Sequence, residues 1–233
     1  MHLGSAGEGT RVALVRAATR QFAKRGFYGA SIASIAGELG LTKQALIHHF
    51  GSKEKLYGEV LQEIADQLLA DVVEATSDES EPRRQLERLL EMLYESRKTS
   101  PEQTQLITRE LLDNRPRAKH AGTWYLKSFL NALVGLIRRV PGWSSVSDAE
   151  ALAAVYQLLG AINYYAISEP TLMRMFGKPA YRALDEAFPE QLRALVDTCL
   201  ERPPTDRPAA RPMPTTRPHE ASGDDQRRQA DST

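Results

Sequence analysis

A single cysteine, Cys199, stands in this chain of 233 residues. With no second thiol an intramolecular disulfide is excluded, which suits a reducing compartment, and Cys199 sits in an apolar helical stretch where it reads as packing. Long apolar runs are missing too. The best candidate, residues 151–167, is uncharged but shorter than the roughly 20 residues that a bilayer span needs, and it contains Gln157 and Asn163. A helix buried on two sides is expected there instead. The first residues are small and polar from Gly4 to Thr10, with no apolar segment behind an early charge, so no signal peptide and a cytoplasmic location are expected. Net charge is also absent: 30 basic residues balance 30 acidic ones, and composition alone gives no attraction to nucleic acid.

The signatures of common enzymes are missing as well. The sequence has no Gly-rich phosphate loop, no nucleophile elbow and no His/Cys/Asp cluster at metal-ligand spacing. His48 and His49 are adjacent, and neighbours on a helix point about 100° apart, so they cannot readily close on one ion. Glu110, Asp113 and His120 are separated by a helix end and a proline, and read as a solvated loop. No catalytic residue, metal or cofactor is expected.

What is present is helical periodicity almost throughout, with no sustained alternation, which predicts an all-α fold. A first helix is expected after Thr10, with Val12, Val15, Ala18, Phe22 and Ala23 on one side and Gly26 at its end. Ser31, Thr42 and Ser52 are placed to cap three more: a short helix to about Leu39, a second from Thr42 to Phe50 after the Gly40 turn, and a long connector to about Thr76. Pro82 and Pro101 suit the first turn of the next two helices, ending near Lys98 and Asp113. A helix over about 119–139 follows, and Ser147 with Glu150 has the spacing of a capping box that opens the uncharged helix. Pro170 is expected to break that helix, with a short turn from Leu172 to Phe176 and separate pieces starting at Pro179 and Pro189. Beyond Arg202 come six prolines among polar residues and no apolar cluster. The expected domains are a disordered arm (1–10), a helix-turn-helix domain (11–52), a larger helical domain (53–201) and a disordered Pro-rich tail (202–233).

Charge is placed unevenly. Between Arg11 and Tyr57 stand Arg11, Arg16, Arg20, Lys24, Arg25, Lys43, Lys53 and Lys55 against only Glu38 and Glu54. Within this basic segment a capped helix, a glycine turn and a second capped helix give the layout of a DNA-reading helix-turn-helix, in which Ile35, Ala36, Leu39, Leu41 and Leu46 are expected to pack the two helices together. Any two-helix hairpin can show this packing.

The pattern is sharpened by Phe22, Arg25, Gly26 and Phe27, then Ser31, Ile32, Ile35, Ala36, Gly40, Leu41, Lys43, Leu46, His49, Phe50, Ser52, Lys53, Glu54 and Leu56. On these positions the stretch from Arg11 to Leu61 resembles the N-terminal domain of the TetR family of transcriptional regulators. The resemblance implies that the helix from Thr42 to Phe50 lies in the major groove, with Lys43 and Gln44 at its N-terminal end toward bases or phosphates. Thr42, His49 and Lys53 match backbone-holding positions, and Ser31, Ala33 and Ser34 are weaker contacts on the preceding helix. Ile47 departs from the usual tyrosine and is limited to apolar contact, for instance with a thymine methyl. His48 takes a variable position and faces either DNA or solvent, and at least one basic residue of the first helix is expected to face the phosphates.

The same resemblance implies a homodimer formed through the uncharged helix and the final helix, 189–200, and a larger domain that holds a small-molecule effector. Helix bundles build ligand cavities between facing helices. Arg109, Trp124 and Phe129, and Tyr156 with Asn163, are the candidate effector residues, and the aromatic-rich domain favours a small, largely apolar or aromatic effector. The implied function is a repressor on a palindromic DNA operator, released by its effector. The alternative is an effector-independent or activating DNA-binding regulator.

Overall fold

Three polar side chains set where the helices of the first third begin. Ser31, Thr42 and Ser52 each adopt an extended backbone, and each accepts a hydrogen bond from the N–H three residues on: Ser34 at 3.0 Å, Ala45 at 3.2 Å and Lys55 at 3.2 Å. The computed structural model describes residues 4–113, 125–201 and 203–204. In order, the helices are α1 (Gly4–Gly29), α2 (Ile32–Gly37), α3 (Lys43–Phe50), α4 (Lys53–Ser77), α5 (Pro82–Thr99), α6 (Pro101–Asp113), α7 (Lys127–Arg138) and α8 (Asp148–Glu201). The fold is all-α, and the described residues contain no strand.

Three expected boundaries move, one of them the start of the helix expected over about 119–139, which among the described residues begins at Lys127 after a turn at Tyr125 and Leu126. The first helix extends back through Thr10 to Gly4 rather than opening after Thr10. No proline interrupts residues 4–10, and lengthening an existing helix is far easier than nucleating one. Gly26, at φ 69°, bends the far end as its freedom in the left-handed region allows. At the other end of the chain Pro170, Pro179 and Pro189 all lie inside α8, and the break falls at Gly177, at φ 83°. A proline inside a helix costs about 3 kcal/mol. Burial of Tyr165, Tyr181, Leu192 and Val196 in the core offsets this, since each large apolar side chain contributes about 1.5–3 kcal/mol. The remainder of the expected N-terminal arm, the 114–124 connection and most of the Pro-rich tail lie outside the described residues.

Two apolar clusters form among the described residues. Leu14, Phe22, Ile35, Leu46, Leu56 and Val60 belong to the first, which also takes in Leu106 of α6. The second joins α5, α7 and α8 around Leu89, Leu133, Trp143 and Leu158, and Trp143 Nε1 donates to the carbonyl of Leu200 at 3.0 Å. Connector α4 contributes to both, through Leu56–Ile64 at one end and Ala75 at the other. On both sides of the Gly177 bend α8 is fastened to α5 by a buried polar group: Arg97 pairs with Glu169 before the bend and with Asp185 after it, and the Tyr94 hydroxyl donates to Asp185.

Candidate nucleic-acid interface and effector cavity

The turn between α2 and α3 is tight because Ala36 O accepts from both Leu39 N (3.0 Å) and Leu41 N (2.9 Å), with Gly40 at φ 67°. Ile35, Ala36 and Leu46 are fully buried at the crossing. Leu39, expected to pack there, is 37% exposed instead, because the chain has already left α2 at Glu38.

This geometry leaves one face of the hairpin open. Ser31, Ala33, Thr42, Lys43, Gln44 and His48 are exposed, while Ser34, Ile47, His49 and Lys53 are half-buried. The Thr42 hydroxyl oxygen is occupied by Ala45 N–H, yet its proton can still be donated to an anion. The N–H groups of Lys43 and Gln44 stand in the first turn of α3, where no carbonyl lies four residues back within the helix. Lys53 Nζ sits 4.7 Å from the centroid of the Phe27 ring, a cation–π contact that fixes the start of α4 and restrains its charge.

Of the α1 cations, two are committed. Arg11 pairs with Glu59 at 2.5 Å and lies over the Phe50 ring, and Arg20 pairs with Glu38 at 3.0 Å. Glu38 also accepts from the Gln21 amide, and this bond, with Arg20, holds its carboxyl below the usual carboxylate range. Arg16, Lys24 and Lys43 are exposed and make no ion pair among the described residues.

A cavity of about 220 Å³ opens in the larger cluster. Phe129, Tyr156 and Asn163 all line it, together with Leu68 of α4 and with Gln103, Thr104, Ile107 and Leu111 of α6. Arg109 does not. Its guanidinium turns to the end of α1, where Nε donates to Ala23 O at 3.0 Å and one terminal nitrogen lies 3.4 Å from Lys24 O. Trp124 lies outside the described residues. Gln103 and Thr104 were not singled out from the sequence, although polar side chains in line with Ile107 and Leu111 on an inward helical stripe were a readable signal.

The other side of α6 grips the first cluster. Buried Glu110 accepts from the Tyr57 hydroxyl, and Leu106 is fully buried against α1 and α4. Among the described residues no group of three or more potential metal ligands comes together, and no helix is long and apolar enough to cross a membrane.

Residues 14–60 match the sequence model of the bacterial regulatory proteins of the tetR family. The HTH-type transcriptional regulator RutR of Escherichia coli O157:H7 is 26% identical over 168 residues, which cover 71% of this chain and 77% of RutR. Residues 14–60 therefore carry a DNA-binding domain of the tetR type, and the chain is similar to TetR-family transcriptional regulators. The proteins that it resembles are DNA-binding transcriptional regulators, not enzymes. The HTH-type transcriptional repressor KstR2 of Rhodococcus jostii strain RHA1 is 33% identical over 88 residues, 38% of this chain and 43% of that protein. A transcriptional regulator from Saccharomonospora viridis, solved in complex with choline, shares the fold at a TM-score of 0.61 with 18% identity, over 84% of this chain and 97% of that one.

Proposed function

We propose that this chain is a ligand-responsive repressor of the TetR family, which binds a palindromic operator as a homodimer and is released when a small molecule enters the cavity. The observation that carries the reading is the double role of α6. One face, with Gln103, Thr104, Ile107 and Leu111, walls the cavity, and the other, with Leu106, Arg109 and Glu110, holds α1 and the start of α4. A ligand that displaces α6 therefore acts directly on the elements that carry α3.

Binding of the ligand favours whichever arrangement it contacts better, and its differential affinity limits the response to about 1–3 kcal/mol, or 5–150-fold. Ser31, Ala33, Ser34, Thr42, Lys43, Gln44, Ile47, His48, His49 and Lys53 are the proposed DNA-facing set, and Phe129, Tyr156 and Asn163 the proposed effector contacts. The repressor KstR2 and the choline-bound regulator support the two halves of the reading separately. For the homodimer the support is the uncharged part of α8, residues 151–167, where Tyr164 is 74% exposed and Ile167 42% exposed. Such surface calls for a partner, and a second copy meets it with a self-complementary face.

The test is a duplex chosen by the protein from a random pool, followed by small molecules titrated into the complex. Loss of affinity of fivefold or more with one compound class supports the proposal. A regulator that binds its duplex identically with every compound contradicts the effector half.

A further inference from the structure

We infer that the cavity is shaped for an uncharged molecule of about one ring, apolar over most of its surface with one hydrogen-bonding end; this rests on reading the cavity as the effector site. Every polar side chain that the described residues place on its wall is neutral. The charged residues nearest along α6 are engaged elsewhere, Arg109 on the carbonyls of α1 and Glu110 with Tyr57. A ligand charge brought here would lose its water without gaining an opposite charge, which is strongly unfavourable.

The polar groups that are present favour a neutral partner. Gln103, Thr104 and Asn163 make no side-chain hydrogen bond with the described residues, so their donors and acceptors are free. Two amides and a hydroxyl offer both senses of hydrogen bond, which matches an alcohol, ester or amide and cannot neutralise an ion. Ser96 already donates to the Leu93 carbonyl, and apart from Tyr156 and Gly160 the remaining wall is leucine, isoleucine and Phe129. As for size, an apolar cavity of about 150 Å³ lodges a benzene. At about 220 Å³ this cavity takes one ring with a short substituent.

The probes are three single-ring molecules of similar shape: methyl benzoate (neutral), benzoate (anionic) and benzyltrimethylammonium (cationic). Binding to the full-length protein is followed calorimetrically up to millimolar concentration. Two variants report on place. A side chain built at Gly160, on the cavity wall, meets nothing within 4 Å, so Gly160→Leu has room to enter the space. Asn163→Leu removes a polar group while keeping the bulk, and circular dichroism confirms that both variants are folded.

The expected result is that methyl benzoate binds at least about tenfold more tightly than either ion, is lost in Gly160→Leu, and weakens several-fold in Asn163→Leu. If an ion binds as well as the ester or better, and loses binding in Gly160→Leu, the ligand class is overturned while the effector site stands. If no probe shows binding that Gly160→Leu removes, the class and the effector site both fall.

Discussion

Arg109 Nε reaches across 86 residues of sequence to donate to the Ala23 carbonyl at 3.0 Å, where α1 bends away at Gly26. The last carbonyls of a helix have no partner of their own, and a cation is favoured at that negative end. Arg109 supplies both the donor and the charge from another element. Its neighbour Glu110 receives the Tyr57 hydroxyl, so two consecutive residues of α6 hold α1 and α4 on the side opposite the cavity wall.

Replacing Arg109 by alanine should therefore cost about 1.5–3 kcal/mol in stability, the range for hydrogen bonds to a charged group. Urea unfolding measures this. Once an effector is in hand, Arg109→Ala should also shrink its influence on DNA affinity while leaving ligand affinity within about threefold, an estimate from the limited reach of coupling mutations. Unchanged stability and unchanged response would show that the contact is incidental.

Tyr57→Phe removes one donor from the buried Glu110 carboxylate, and should cost about 1–3 kcal/mol. Because the Tyr57–Glu110 bond is lost in either single variant, adding Glu110→Leu should destabilise by less than the sum of the single effects. A double-mutant cycle in urea is the measurement, and strict additivity would mean that the pair does not interact.

At the DNA face, Lys43→Ala should weaken binding to all sequences alike and lower the slope of log affinity against log salt by about one. Gln44→Ala should instead relax the preference for one base, by about 1–3 kcal/mol. Anisotropy titrations at several salt concentrations separate the two. The assignment fails if Gln44→Ala alters only the salt slope and Lys43→Ala only the sequence preference.

The tie between α1 and the end of α2 should respond to acid. Gln21 and Arg20 depress the Glu38 ionisation relative to the unfolded chain, so the stabilisation is complete above an unfolded value of about 4.3 and is lost as pH falls through the lower folded value. Half-exposed Arg20 means a modest effect, about 0.5 kcal/mol. Stability measured from pH 6 to pH 3 should fall less steeply in Glu38→Gln than in the wild type. Parallel acid limbs would remove Glu38 from the account.

Much of the hairpin was legible because its signals are local. Ser31, Thr42 and Ser52 each cap an N–H only three residues away, and Ser147 and Glu150 exchange hydrogen bonds at the same short range. Gly26 and Gly40 mark bends that other residues rarely adopt. The path of α8 through Pro170 and Pro189 was not legible, since the burial that offsets them comes from helices distant in sequence, whereas Pro179 stands in the first turn after the Gly177 break, close to where a helical piece was expected to start. For the same reason Arg109 read as an effector residue: nothing near it in sequence announces that α1 ends beside it. Phe129, Tyr156 and Asn163 were found as aromatic or polar groups in apolar helices, whereas Gln103 and Thr104 were not singled out.

Selection of bound duplexes from a random-sequence pool tests the account most directly. A dimer that sets two α3 helices in the major groove should enrich one inverted repeat, with half-site centres separated by about one helical turn or a multiple of it. Lys43→Ala should enrich the same repeat more weakly. A pool that stays random, with binding governed only by salt, would contradict sequence-specific recognition by this chain.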